Sequence, residues 1–297
     1  MPRNITVVAD LFLEDFNGGS ERSLEAILQA SPVPLKRTHC KEFNPSLNIK
    51  ENFYIFGNFW NINQHADRFR KLNYVVIESD FKYCRYRLPE LHEFKEGRCT
   101  CPTSVFSKPV IEFYKHAKAI FWKSRRHLER HLLAVPELAA LNNIVLSITY
   151  TPEDLKFLSD LAQSRTNKWG LFRPKTYAVY KSQNWIKGYD DAIKYCKENK
   201  LKVVELGSLE NREFLQKLSQ CYGLVFLPRG VESCSRMAVE AKILGLDVII
   251  NSNVGAGGDD FYNLPRPEML EFIASRTKLF WNEIGKVVPL EDFTCPA

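Results

Sequence analysis

The chain predicts an α/β fold of two doubly wound, Rossmann-like domains facing across a cleft. Three observations lead there. Short β-rich runs and helical periodicities alternate from end to end, the pattern of parallel sheets covered by helices. The alternation breaks once, at Ser164–Lys175, in a polar stretch carrying Gly170 and Pro174, which reads as a linker. Residues 222–256 read as strand, turn, helix, strand, an order that sets a helix N-terminus at the carboxyl edge of a parallel sheet. A length of 297 residues suits two domains. We place them at 1–168 and 169–266, with a closing helix in 267–297.

In the first half, Asn4–Ala9 is a β-rich run. Gly18 and Gly19 lead into a helix over Ser20–Gln29, with Leu24, Ile27 and Leu28 at helical spacing and Ser20 as N-cap beside Glu21. Phe53–Phe56 and Tyr74–Ile77 are strands joined by a helix near Asn63–Leu72. Ala119–Trp122 is a strand, Arg125–Leu133 a helix, Ile144–Ser147 a strand, and Pro152–Ala162 a helix opened by Thr151 and Pro152. In the second half, Thr176–Tyr180 is a strand and Lys187–Glu198 a helix with Tyr189, Ala192, Ile193 and Cys196 on one face. Leu201–Leu206 (strand), Asn211–Cys221 (helix), Tyr222–Pro228 (strand), Asp247–Ile250 (strand) and Pro267–Ile284 (helix) complete the series.

Composition excludes some classes. Apolar residues make up 45% of the chain and aromatics 12%, enough for a real core and too much for global disorder. No run approaches 18 consecutive apolar residues, so no integral membrane segment is expected. The opening residues read as a strand and not as a signal peptide, which points to the cytoplasm, or the host cytoplasm for a viral protein. Net charge is +6. That balance permits nucleic acid, anionic lipid or phosphate-bearing substrates and selects none of them. Eight cysteines in a cytoplasmic chain argue against a disulfide framework.

The stretch with most chemistry is LPRGVESCSRMAVEAKILGLDVIINSNVGA, residues 227–256. Glu232 and Glu240 bracket seven residues that read as one helix. Eight helical residues advance about 12 Å, roughly the span from the distal sugar of a nucleotide diphosphate to its ribose. The helix tip would take the phosphates. This segment resembles the donor-binding motif of retaining GT-B glycosyltransferases, glycosyltransferase family 4 in particular. Pro228, Glu232, Glu240, Ala241, Gly245, Val248 and Ile249 match that motif. The resemblance implies that Glu232 contacts the donor sugar and Glu240 the ribose. It departs where the family has Gly-Phe-Gly: here Ser233, Cys234 and Ser235 stand.

The resemblance reaches further, and the closing helix of GT-B proteins commonly crosses back to the first domain. Asn17–Arg22 is similar to the family's Gly-Gly-Ala-Glu-Arg loop, which brings Gly18 and Gly19 close to a ligand. Ala117–Leu132 resembles a family segment in which Ser124 caps a helix. Lys187 and Gly188 fit the Lys-Gly that opens the second domain's phosphate site. The family's Arg is missing, and Lys181 stands at one of its spacings. Ser79 occupies a position where relatives often have His, so Asp80 or Glu78 becomes the candidate to activate the acceptor hydroxyl. No cofactor is implied for the chemistry.

These residues together predict a retaining glycosyltransferase that moves a sugar from a nucleotide-diphosphate sugar to an acceptor hydroxyl. Basic segments carrying Arg125 and Arg126, with aromatic Trp60, Tyr83, Tyr86 and Trp122, suit a hydroxymethylated DNA base, as in phage DNA glycosyltransferases. Polysaccharide or lipid-linked saccharide assembly is the alternative. A nucleotide-binding scaffold without catalysis is the rival from another class. Separately, Cys84, His92, Cys99 and Cys101 crowd into 18 residues. Three thiols and an imidazole satisfy a tetrahedral structural zinc, although the spacing follows no standard zinc-finger pattern.

Overall fold

The computed structural model describes residues 4–44, 52–169 and 175–293. They form two compact units, one of Met1–Thr151 with Ala274–Ala297 and the other of Pro152–Ile273. The expected linker at 164–175 lies partly outside the described residues. The first boundary therefore falls 17 residues before the expected one, ahead of helix α5 (Pro152–Trp169). The reason is one guanidinium. Arg165 is 5% exposed, and it donates to the carbonyls of Ser219, Cys221, Leu244 and Gly245 at 2.9–3.3 Å. Those carbonyls all belong to the second unit.

The first unit holds six parallel strands: β1 (Ile5–Ala9), β2 (Leu35–His39), β3 (Phe53–Gly57), β4 (Asn73–Ile77), β5 (Ile120–Trp122) and β6 (Asn143–Val145). Their order is β2-β1-β3-β4-β5-β6. Every residue of β1 and β3 is buried, as expected of strands covered on both faces. On one face Leu24 and Ile27 of α1 (Gly19–Gln29) pack with Phe280, Trp281 and Ile284 of the last helix, α9 (Arg266–Val287). The Trp281 indole donates to the Ile27 carbonyl at 2.9 Å.

Several expectations shift at the elements between strands. The helix near 63–72 is a 3-10 helix over Trp60–Phe69. Its buried Asn63, Ala66 and Phe69 recur every three residues, the period of that helix. α1 opens at Gly19, one position ahead of the expected start, and its N-cap is Gly18, two positions ahead of the expected Ser20. The Glu21 carboxylate occupies the space a cap side chain would need: a Cβ on Gly18 would lie 2.3 Å from Glu21 Oε2. β2, α2 (Pro89–Glu96) and α3 (Lys108–His116) were not expected. α4 (Arg125–Ala134) is capped by the Ser124 hydroxyl, which accepts from the His127 N–H at 3.1 Å.

The second unit repeats the scheme with β7 (Thr176–Tyr180), β8 (Lys202–Leu206), β9 (Gly223–Phe226) and β10 (Asp247–Ile250), all parallel, in the order β10-β9-β7-β8. Helices α6 (Tyr189–Glu198), α7 (Asn211–Ser219) and α8 (Arg236–Ile243) alternate with them. In both sheets the strand order reverses beside the first strand, between β1 and β3 and between β7 and β9. Ligands of open parallel sheets bind at such a reversal, beyond the carboxyl ends of the strands. Among the described residues no helix is long and apolar enough to cross a membrane.

Two buried histidines of α4 give the first unit an acid-sensitive interior. His131 stacks on Phe81 at 4.9 Å and sits edge-on to Tyr83 and near Trp122. Burial holds it well below the ordinary imidazole value, and the neighbouring His127 lowers it further. Burial likewise pushes His127 down to about 4. A histidine kept neutral in the fold gives its full stability above about pH 6.5. That stability is lost as pH falls toward 4, because only the unfolded chain takes up the proton there. The melting temperature is therefore expected to drop steadily from pH 7 to 4.5. His131→Phe, which keeps the stacked ring, should remove a large part of that drop. Calorimetry across this range checks it, and an unchanged drop in the variant would assign the titration elsewhere.

Candidate functional site

The loops at the second unit's strand reversal bring Lys187 and Glu232 together. After β7 the chain makes a 3-10 turn, Trp185–Lys187, which Asn184 caps by accepting from the Ile186 N–H. After β9 it passes Leu227–Arg229, and the Arg229 N–H donates to the Ile186 carbonyl at 2.9 Å. Gly188 lies in the angle between them with φ +62°, and a Cβ there would stand 1.8 Å from the Leu227 carbonyl oxygen. Only glycine accepts both that dihedral and that approach. The result is a two-pronged ion pair: Lys187 Nζ donates to Glu232 Oε1 at 2.8 Å and to Oε2 at 3.0 Å. Neither side chain is sealed off, at 29% and 13% exposure.

Glu232 does not lie on the helix with Glu240. It sits in the loop four residues before α8, where it forms an isolated parallel bridge with Val254. Its N–H donates to the Asn253 carbonyl at 2.8 Å, and its carbonyl accepts from the Gly255 N–H at 2.9 Å. The loops after β9 and β10 are thus stitched side by side. Asn251 and Asn253 add side-chain donations to the Pro228 carbonyl, both at 2.9 Å. The helical spacing of the two carboxylates, and the 12 Å drawn from it, do not apply.

Ser235 is the N-cap of α8 with φ +70° and ψ 88°, the left-handed region that favours glycine. A non-glycine residue there costs on the order of 1–3 kcal/mol. Ser233 is half-buried, and Cys234 is buried, its carbonyl accepting from the Ala256 N–H at 3.2 Å. Cys234 therefore faces inward with its sulfur. Glu240 is 3% exposed and faces Arg236, whose Nε lies 3.4 Å from Oε1. Arg236 also lies 3.8 Å from Asp154 of α5. Lys181 is exposed and paired with Glu205 at 2.6 Å, a contact that raises its pKa.

In the first unit the corresponding reversal holds a recess of about 10 Å³, room for roughly one water. Ser20, Glu21, Asn58, Ser79 and Lys123 line it with apolar neighbours. Burial raises the Glu21 carboxyl above the ordinary range, although Asn58 donates to it at 2.8 Å. Gly18 is half-buried beside it and Gly19 exposed.

Asp80 stands in a partly buried charged network next to this recess. One oxygen accepts from Lys82 at 3.2 Å, and the other accepts from the Arg87 guanidinium. Lys82 also bonds Glu78 at 2.5 Å, and both are fully buried. Glu78 accepts from the N–H groups of Ser79 and Asp80 at 2.8 and 2.9 Å and from the Tyr114 hydroxyl. Burial pushes Glu78 up, but Lys82 and these bonds outweigh it and hold the carboxyl below the ordinary range. Glu78 is a structural anchor out of reach of any ligand. Lys82, Arg87 and Asn58 were not singled out from sequence. The only signal for Lys82 and Arg87 was charge alternation in the exit of β4, and Asn58, just after β3, carried none.

The basic segment after β5 is not a surface strip. Arg125 is exposed and Arg126 half-buried, but Lys123, His127 and His131 are buried. Trp122 and Tyr83 are core residues at 0% and 2% exposure. Two of the four aromatics invoked for stacking bases are thus internal, while Trp60 and Tyr86 are half-buried. Cys84, His92, Cys99 and Cys101 do converge, their ligand atoms all within 4.8 Å of one another.

No protein-family model and no curated protein sequence matches the chain. Solved structures do. A trehalose-phosphate synthase from Burkholderia xenovorans in complex with glucose-6-phosphate superposes with a TM-score of 0.60 at 8% identity, over 95% of this chain and 99% of that one. The trehalose-6-phosphate synthase OtsA gives 0.59 at 10%, over 96% and 100%. Anabaena HepE in complex with UDP and glucose gives 0.53 at 11%, over 98% and 96%. The fold is therefore the α/β GT-B fold of glycosyltransferases.

The Gly188 contact generates a stability prediction. Gly188→Ala should destabilise the protein by about 3 kcal/mol or more, through left-handed strain plus overlap with a backbone carbonyl. Gly207, which has open space around it and no positive φ, is the control: Gly207→Ala should change little. Urea melts of both variants check this. Equal effects would show that the close approach is absent in solution.

Proposed function

We propose that the protein is a retaining glycosyltransferase that binds a UDP-sugar at the β7/β9 reversal of its second unit. The observation that carries this reading is the Lys187–Glu232 pair. Two residues 45 positions apart, each matched to the donor motif of family 4, meet at 2.8 Å where a parallel sheet binds ligands. The neighbouring structures add support, since one of them, HepE, holds UDP and glucose.

In this reading the bond from the anomeric carbon to the β-phosphate oxygen breaks, and its electron pair stays on that oxygen. The acceptor hydroxyl bonds the same face of the carbon, and its proton passes to the departing phosphate. Lys187 stabilises the charge that grows on the diphosphate, while Glu232 holds a sugar hydroxyl and the Lys187 ammonium in place. Backbone N–H groups of 233–235 face the phosphates. Lys181 supplies charge in place of the missing Arg. Glu240 reaches the ribose only once Arg236 turns away. Asp80 holds Arg87 and acts through it. The acceptor is a saccharide hydroxyl. A hydroxymethylated DNA base is the less favoured acceptor, because Tyr83, Trp122, Lys123, His127 and His131 of the proposed surface are internal.

Donor hydrolysis tests the proposal. Purified protein incubated with UDP-hexoses should release UDP and a sugar whose initial anomeric configuration, read by NMR, matches the donor. Lys187→Ala should cut turnover by about 100-fold or more, the range for losing a group that stabilises developing charge. Glu232→Gln should lower turnover while leaving UDP binding within a few-fold. Wild-type rates in both variants would remove the assignment, and inverted product would remove retention.

A further inference from the structure

We propose that the segment between β4 and α3 holds a structural zinc ion on Cys84, His92, Cys99 and Cys101. Three of the six distances between ligand atoms match a tetrahedral site, and all six lie within 4.8 Å. Zinc bonds thiolate at about 2.3 Å and imidazole at about 2.0–2.1 Å, so the edges of the tetrahedron are about 3.8 Å between sulfurs and about 3.5 Å from sulfur to nitrogen. The structure gives 3.8 Å from Cys99 Sγ to Cys84 Sγ, and 3.6 and 3.4 Å from His92 Nδ1 to the sulfurs of Cys84 and Cys101. Four side chains reach one point without a bond between any two of them.

The surroundings fit the same ion. His92 Nε2 lies 3.1 Å from Glu96 Oε2, one helical turn on. That carboxylate accepts a hydrogen bond from Nε2–H and leaves the Nδ1 lone pair aimed at the sulfurs, the usual outer partner of a zinc-bound imidazole. The Arg85 N–H donates to Cys101 Sγ at 3.5 Å, as a backbone amide does toward a thiolate. Three thiolates, one imidazole and Zn²⁺ carry a net charge of −1. The Arg85 guanidinium, 3.4 Å from His92 Nε2, pairs with Glu96, so that carboxylate adds no further net charge beside the site. The backbone is shaped to deliver the ligands: Cys84 sits in a tight turn, α2 carries His92, and Gly97 stops that helix with φ +79° before Cys99.

The ion would do more than tie a loop. Arg87 N–H donates to the Cys84 carbonyl at 2.8 Å, and Arg87 itself has φ +55°. The metal-binding turn thereby presents the Arg87 guanidinium to Asp80 and Asn58. Binding displaces three thiol protons to solvent as the zinc–sulfur bonds form, so the metal couples local folding to this network.

The test uses the full chain, purified without an affinity tag and dialysed against metal-free buffer. Elemental analysis should give about one zinc per chain. Cobalt(II) exchanged into the site should show the visible absorption of tetrahedral thiolate coordination. Cys99→Ser and Cys101→Ser should each lose the zinc, while Cys196→Ser, outside the cluster, keeps it. Stripping zinc with a chelator should lower the melting temperature, and zinc alone should restore it. Should a ligand variant fail to fold, the cobalt spectrum of the wild type still decides. Metal-free protein with no cobalt spectrum, a disulfide between Cys84 and Cys99 in peptide mapping, or zinc retained by both ligand variants would each overturn the proposal.

Discussion

The second unit depends on one close approach, Gly188 against the Leu227 carbonyl. Parallel strands β7 and β9 leave the sheet side by side because the strand order reverses between them. Their loops need a third element to fix them against each other. A glycine with φ +62° lets the backbones touch, and the Arg229 to Ile186 hydrogen bond locks the contact. Lys187 then has one place to go, and Glu232 is there. The pair is half open to solvent, so its own stabilisation is modest. Its value lies in holding a positive and a negative group at a fixed spacing before any ligand arrives.

The first unit handles charge differently. Glu78 and Lys82 are fully enclosed, where the cost of desolvation rivals the attraction. What offsets it is saturation: the Glu78 carboxylate accepts from two backbone N–H groups, Lys82 and Tyr114. From that anchor the network runs through Asp80 and Arg87 to Asn58 and Glu21 at the recess. A group wired this tightly at both oxygens is suited to positioning its neighbour, and less suited to taking a proton.

Much of the fold was legible because buried parallel strands announce themselves. Phe53–Gly57, Asn73–Ile77 and Gly223–Phe226 are short apolar runs, and each is a strand. Edge strands are not so marked: Leu35–His39 spells LKRTH and is half exposed, so nothing in its pattern separates it from a loop. In the candidate site, the need for glycine at 188 was legible because backbone geometry dictates residue type there. The site was misread where a motif was laid on an assumed helix. Glu232 lies in a loop because Ser235 turns left-handed just before α8, and periodicity carries no trace of that turn. The buried histidines were invisible for a related reason. A charge-rich helix reads as solvated until its packing against Phe81, Tyr83 and Trp122 is seen.

The central claim is that the β7/β9 reversal is a preformed nucleotide-sugar site. Hydrogen–deuterium exchange with and without saturating UDP-glucose tests it most directly, because it maps binding without requiring turnover. The account predicts added protection of the backbone amides in 184–189, 230–236 and 253–256, with the sheet strands unchanged. Protection confined to other segments, or none with UDP-, GDP- or ADP-glucose, would contradict it.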